Sequence, residues 1–171
     1  YLRKDAGSGE APGIAGAGRL FVHGPNVILG YVLADRPGAI CPPPGGWHDT
    51  GDVVSIDTDG YFEIRGRLKR FAKIGGETVS LAVVENCASA LWPENAHAAV
   101  ALPDGMRGEE IVLVTDATEA RRLDLVGWVH SHGVSDLAVP RRILIVAAIP
   151  VLATGKTDYE KVQKMAASTL D

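Results

Sequence analysis

Apolar and polar positions change rhythm near residue 50. Before it, short apolar runs such as Leu20-Phe21-Val22 are set between turn residues. Half of the chain's 20 glycines lie there, and Pro42-Pro43-Pro44-Gly45-Gly46 reads as loop. This is turn-rich β structure with little helical signal. A hairpin follows, with strands at 53–56 and 61–64 around Asp57-Thr58-Asp59-Gly60. Its Asp-Gly pair supplies the dihedrals of a tight turn. Residues 68–74 read as an extended strand, with Arg67, Lys69, Phe71 and Lys73 on one face and Leu68, Ala72 and Ile74 on the other. Arg70 interrupts the apolar side. Leu81, Val84, Ala88 and Leu91 form one stripe of a helix over 80–91, and Pro93 follows its end. Strands are expected at 96–102, 109–115 and 142–146. A helix is expected at 118–132, closed by Gly133. Thr157 and Glu160 have capping-box spacing, which starts a last helix running to about residue 167.

The expected class is α+β. A turn-rich β part covers 1–65, and a small domain with a three-stranded sheet and flanking helices covers 66–171. The first part is too poor in apolar residues to hold a core alone at roughly 60 residues, so it is expected to pack on further protein. The chain begins at Tyr1, which suggests a piece of something longer.

Composition narrows the chemistry. Apolar residues make up 46% and charged residues 22%, as in a globular protein. A net charge of -4 disfavours nucleic-acid binding, which needs a basic face. No run approaches the roughly 18 apolar residues of a membrane span. Cys41 and Cys87 form no Cys-x-x-Cys unit, so no metal site is expected, and the location read from them is the reducing cytoplasm. Cys87 sits in an apolar helical stretch and reads as core.

Against that acidic background stand Arg65, Arg67, Lys69, Arg70 and Lys73, five basic residues within nine positions. Arginine forks match phosphate oxygens, although most charge runs are solvated faces. Gly75-Gly76 reads as a hairpin turn and also offers bare backbone to a ligand. Asp52, after Thr50-Gly51, could accept two hydrogen bonds from a diol or simply cap its own turn. Lys156 lies beside Gly155 in a loop. Gly155-Lys156-Thr157 ends like a phosphate loop, but the required upstream glycine is Pro150.

These segments, Trp47-His48-Asp49-Thr50-Gly51-Asp52, Asp59-Gly60-Tyr61-Phe62, Gly66-Arg67-Leu68-Lys69, Gly75-Gly76, Glu85 and Gly155-Lys156, resemble in their order the C-terminal part of the acyl-adenylate-forming superfamily. The resemblance runs from about Gly18 to Ala167. A narrower likeness is carried by Lys69-Arg70-Phe71-Ala72-Lys73-Ile74-Gly75-Gly76-Glu77-Thr78-Val79-Ser80-Leu81, by Leu137-Ala138-Val139-Pro140-Arg141 and by Gly24-Pro25-Asn26-Val27-Ile28-Leu29-Gly30-Tyr31. These look like the acyl–acyl carrier protein synthetase half of bacterial 2-acylglycerophosphoethanolamine acyltransferases.

The resemblance implies an enzyme that activates a fatty acid with ATP and magnesium, then passes the acyl group to the phosphopantetheine thiol of acyl carrier protein. It implies that Asp52 holds the ribose hydroxyls and Arg67 contacts the nucleotide. Lys69 would be the hinge of a mobile C-terminal domain. Lys156 would reach the carboxylate and α-phosphate, and Lys73, Gly75 and Gly76 would face the thiol. Residues 1–65 would be the distal β part of an N-terminal adenylation domain that is otherwise missing. The parent would be cytoplasmic, free or attached to the inner membrane's cytoplasmic face.

Arg70 stands where the superfamily commonly has an acidic residue, Ser80-Leu81 where it often has proline, and His48 where it often has an aromatic. The glycine- and threonine-rich phosphate loop and the acyl pocket are absent from these residues, so the isolated chain is expected to be inactive. Two alternatives stand beside this reading: part of an ordinary acyl-CoA ligase, or a non-catalytic module that docks acidic carrier proteins through Arg70, Lys73 and nearby basic residues.

Overall fold

The computed structural model of the chain describes residues 2–5, as backbone, and 16–169. It divides into two compact units between Lys69 and Arg70.

The first unit is β structure. An antiparallel sheet runs in the order β1 (Leu2–Asp5), β2 (Ala17–Val22), β5 (His48–Ile56), β6 (Phe62–Arg67). A separate pair, β3 (Tyr31–Val32) and β4 (Ile40–Cys41), lies in the connection between β2 and β5. The expected 53–64 hairpin is the β5–β6 pair, turned at Gly60 with φ 88°. Of the apolar side chains described here only Pro43, Val53 and Val54 are buried, while Ile28, Leu29, Tyr31, Val32, Ile40, Tyr61 and Ile64 face water. The thin core follows from the sequence, since turn residues occupy most positions between the strands.

The second unit holds a sheet covered on both faces. The three expected strands are present as β9 (His97–Asp104), β10 (Gly108–Thr115) and β11 (Arg142–Ile145). The hairpin of β7 (Phe71–Ile74) and β8 (Glu77–Ser80) widens the sheet to five strands. β10 lies at the centre, with antiparallel β9 along one side. Its other side carries parallel β11 at one end and antiparallel β7 at the other.

Alternation then sorts the side chains. Ala99, Ile111 and Leu113 face one core with α1 (Leu81–Leu91) and α2 (Arg122–Ser131). Ala98, Val100, Val112 and Val114 face the other, against Val162 and Ala166 of α3 (Tyr159–Ala167). Cys87 is buried in the first core, and burial raises its thiol pKa. Both cysteines are free.

Three expectations need correction. Residues 68–74 are not one strand: Leu68–Arg70 form a 3-10 turn, and Phe71 and Ala72 are both buried in succession. The second helix starts at Arg122 rather than 118, because Thr118 bonds Glu119 instead of capping, and residues 117–120 close a tight turn. The last helix is capped by Asp158, not Thr157. Asp158 accepts from the Lys161 amide at 3.1 Å, while Thr157 pairs with Val151 in a β-bridge. No helix among the described residues is long and apolar enough to cross a membrane.

Candidate functional site

In the first unit the site grows from an irregularity in β5. Leu20 of β2 lies opposite Thr50-Gly51-Asp52, so the paired register shifts there and β5 bulges. Gly51 takes φ 71°, a left-handed value that glycine adopts without strain. The bulge is held by side chains. Thr50 Oγ1 donates to the Leu20 carbonyl and accepts from the Asp52 amide, both at 3.0 Å. Asp49 accepts from the Gly51 amide at 3.0 Å and pairs with Arg19.

With Thr50 and Asp49 holding the backbone, the Asp52 carboxylate is not needed to cap its own turn. Asp52 is the cross-strand partner of Arg67, and Arg67 Nε lies 3.1 Å from Asp52 Oδ1. The Asp52 side chain is 17% exposed and that of Arg67 72%. A positioned carboxylate thus sits beside a cation free to reorient. His48 hydrogen-bonds the Tyr31 hydroxyl at 2.7 Å, tying β5 to the β3–β4 connection.

The run of five basic residues is not one cationic face. Arg65 pairs with Glu63 at 2.9 Å and donates to Ser55 at 2.8 Å. Arg67 pairs with Asp52, and Arg70 with Glu85 at 2.6 Å. Lys69 and Lys73 are exposed and form no ion pair among the described residues. Arg70 also donates to the Ala99 carbonyl at 2.8 Å, and its guanidinium stacks 3.7 Å from the centre of the Tyr159 ring. The docking role expected of Arg70 is therefore overturned, because its fork is engaged inside the second unit.

In that unit, Lys73 and Gly75-Gly76 share the β7–β8 hairpin. Gly75 and Gly76 form its turn with φ 60° and 88°, the pair of positive values of a tight hairpin. The Lys73 amide donates to Glu109 at 2.5 Å and the Gly75 amide to the Arg107 carbonyl at 2.8 Å, which fixes the hairpin while its outer face stays open. Beside it is a cavity of about 460 Å³, lined by Ile74, Arg107, Glu110, Ile111, Arg122 and Leu137 among others. Glu110 there is engaged by Arg141 and Arg142, so it is no free general base.

Lys156 stands on a different element, the loop before α3. That loop is closed at its base by Asp158 N donating to Pro150 O at 2.9 Å and Leu152 N donating to Lys156 O at 2.8 Å. Gly155 has φ 80°, and the exposed Lys156 ammonium forms no ion pair among the described residues. Among the described residues, no group of three or more His, Cys, Asp or Glu is placed to hold a metal ion.

In the sequence Glu85 stands in the motif order without a role of its own, and nothing marks Tyr159. Both are central to the second unit. The one signal was Arg70, a charge on the apolar side of an alternating run.

No protein-family model matches the chain. It is 33% identical over 155 residues to pyochelin synthase PchD of Pseudomonas aeruginosa, covering 90% of this chain and 27% of that protein. It is 31% identical over 159 residues to the salicyl-AMP ligase / salicyl-S-ArCP synthetase of Mycobacterium tuberculosis, covering 92% and 28%. Among solved structures, the amide bond synthetase McbA from Marinactinospora thermotolerans superposes with a TM-score of 0.70 at 29% identity, over 96% of this chain and 34% of that one. The chain thus spans between 27% and 34% of the length of these proteins.

Proposed function

These relatives and structural neighbours are members of the adenylate-forming ligase superfamily, with the small mixed domain as their C-terminal domain, and from that premise we propose that this chain is the C-terminal part of an AMP-forming acid–thiol ligase. The reading rests on one observation above the others: the compact units divide directly after the exposed Lys69, and the candidate groups fall on both sides of that division. Asp52 accepts the ribose hydroxyls of ATP, and Arg67 turns from Asp52 toward the nucleotide. Attack of a carboxylate on the α-phosphorus gathers negative charge, which the mobile Lys156 ammonium offsets. Rotation at Lys69 then withdraws Lys156 and brings Lys73 and the open Gly75-Gly76 backbone toward the thiol. Magnesium, when bound with ATP, would supply further charge neutralisation on the phosphates.

The acid we propose is a fatty acid and the acceptor acyl carrier protein, in a cytoplasmic enzyme that serves reacylation of lysophospholipid. Residues 69–81 and 137–141 support that choice. The exposed apolar side chains of the first unit suit a seat on the remainder of an adenylation domain. A second reading is favoured by the names of the relatives, which include a salicyl-AMP ligase and a 2,3-dihydroxybenzoate-AMP ligase. There the acid is aromatic and the acceptor a carrier protein or coenzyme A.

Acid-dependent pyrophosphate exchange by the full-length parent separates the two. Exchange with long-chain fatty acids, followed by thioester on acyl carrier protein, supports the first. Exchange confined to aryl acids supports the second, and none with any carboxylate contradicts both. The isolated chain is expected to exchange nothing.

A further inference from the structure

We propose that Arg70 and Tyr159, bridged by Glu85, are positioning residues that fix the Lys156 loop to the segment at the hinge, so that a turn at Lys69 carries the Lys156 ammonium as part of one rigid body. The inference rests on the reading of Lys156 as the adenylation lysine.

Arg70 is the first residue of the second unit, directly after Lys69. An ordinary hinge flank would be free to bend further, but this one is rooted. Its guanidinium bonds Glu85 Oε1 at 2.6 Å and the Ala99 carbonyl at 2.8 Å. Arg70 and Glu85 side chains are 17% and 16% exposed. The same Glu85 oxygen accepts from the Ala99 amide at 2.8 Å and from the Tyr159 hydroxyl at 3.1 Å. The Tyr159 ring lies against the Arg70 guanidinium. One carboxylate therefore joins the start of the unit, α1, β9 and the first turn of α3. Burial first, and then the Glu85 charge, raise the Tyr159 pKa, which keeps its hydroxyl a donor to Glu85.

Tyr159 opens α3, and Lys156 lies just before it in sequence. Between them, Asp158 N is bonded to Pro150 O and Thr157 is bridged to Val151, so the base of the loop has little freedom. The Lys156 ammonium is the mobile end of a short, tied arm. The foot of that arm is set by the Arg70–Tyr159 contact. A displacement of about 1 Å at a reacting group can cost on the order of a hundredfold in rate.

The test uses the full-length parent, with Lys156→Ala as reference. Readouts are acid-dependent pyrophosphate exchange, thioester formation from preformed adenylate, and melting temperature. Tyr159→Leu and Arg70→Met are expected to slow exchange about tenfold or more while thioester formation stays within about twofold of the parent. Tyr159→Phe keeps the ring and is expected within about threefold in both steps. The double variant Arg70→Met/Tyr159→Leu is expected to lose little beyond either single change, as contacting residues do.

Equal loss of both half-reactions together with a lowered melting temperature would mean a purely structural cluster and would overturn the proposal. So would normal exchange by Tyr159→Leu alongside an inactive Lys156→Ala. If Lys156→Ala itself exchanges normally, the Lys156 assignment fails first and this proposal with it. Where Arg70→Met does not fold, the contrast between Tyr159→Leu and Tyr159→Phe decides the question alone.

Discussion

On the proposed function, the Asp52–Arg67 pair matters more to a ligand than to the fold. Arg67 is mostly in water, and exposed pairs of this kind contribute about 1 kcal/mol or less. Asp52→Asn should therefore leave the melting temperature nearly unchanged. It removes a charged acceptor, though, and such hydrogen bonds are worth about 1.5–3 kcal/mol to the bound partner. The KM for ATP in the full-length parent should rise tenfold or more by that estimate. A large fall in melting temperature with unchanged KM would make the pair structural. Both residues were legible in the sequence through motif order, and the roles proposed for them come from the resemblance that order carries. Arg70 was not. Its meaning lies in Glu85, Ala99 and Tyr159, which only the folded second unit brings to it.

Among the elements, the β7–β8 hairpin and the start of α3 give separate tests. A Cβ added at Gly75 or Gly76 would meet no atom within 4 Å, so Gly76→Ala is strained only by its φ of 88°. That costs about 1 kcal/mol or somewhat more. Gly76→Ala should lower the melting temperature modestly and slow the thiol step, while pyrophosphate exchange persists. Loss of exchange alone would contradict the assigned face.

At α3, the Lys161 amide holds the Asp158 carboxyl below its usual range, with the Lys161 side chain assisting. A depressed carboxyl pKa stabilises the fold above its unfolded value and loses that contribution as pH falls through the folded one. Urea unfolding should thus show Asp158→Ala less stable than the parent chain at neutral pH and converging with it in acid. A gap that persists in acid would mean that the cap is not the cause. Most strands and helices were readable from periodicity. Their boundaries failed where a side chain chose an unexpected partner: Thr118 with Glu119, Thr157 in a bridge, Asp158 as the cap.

At the scale of the molecule, the two units are unequal. The second packs two apolar layers on a five-stranded sheet, and the first buries only Pro43, Val53 and Val54 among its described apolar side chains. Residues 70–171 expressed alone should melt cooperatively, while residues 1–69 alone should not. The contrast was visible in composition, with the boundary expected at 65/66, whereas the run around Lys69 reads as strand and only the resemblance marked Lys69 as a hinge. A swivel at Lys69 predicts that Lys69→Pro, which restricts φ to about −65°, harms the two half-reactions unequally. Equal harm would argue against a hinge.

On the proposed function, Lys156 serves adenylation and then leaves. The direct measurement is Lys156→Ala in the full-length parent, with the two half-reactions assayed separately. Acid-dependent pyrophosphate exchange should be abolished while thioester still forms from preformed adenylate. Retained exchange, or equal loss of both steps, would contradict it.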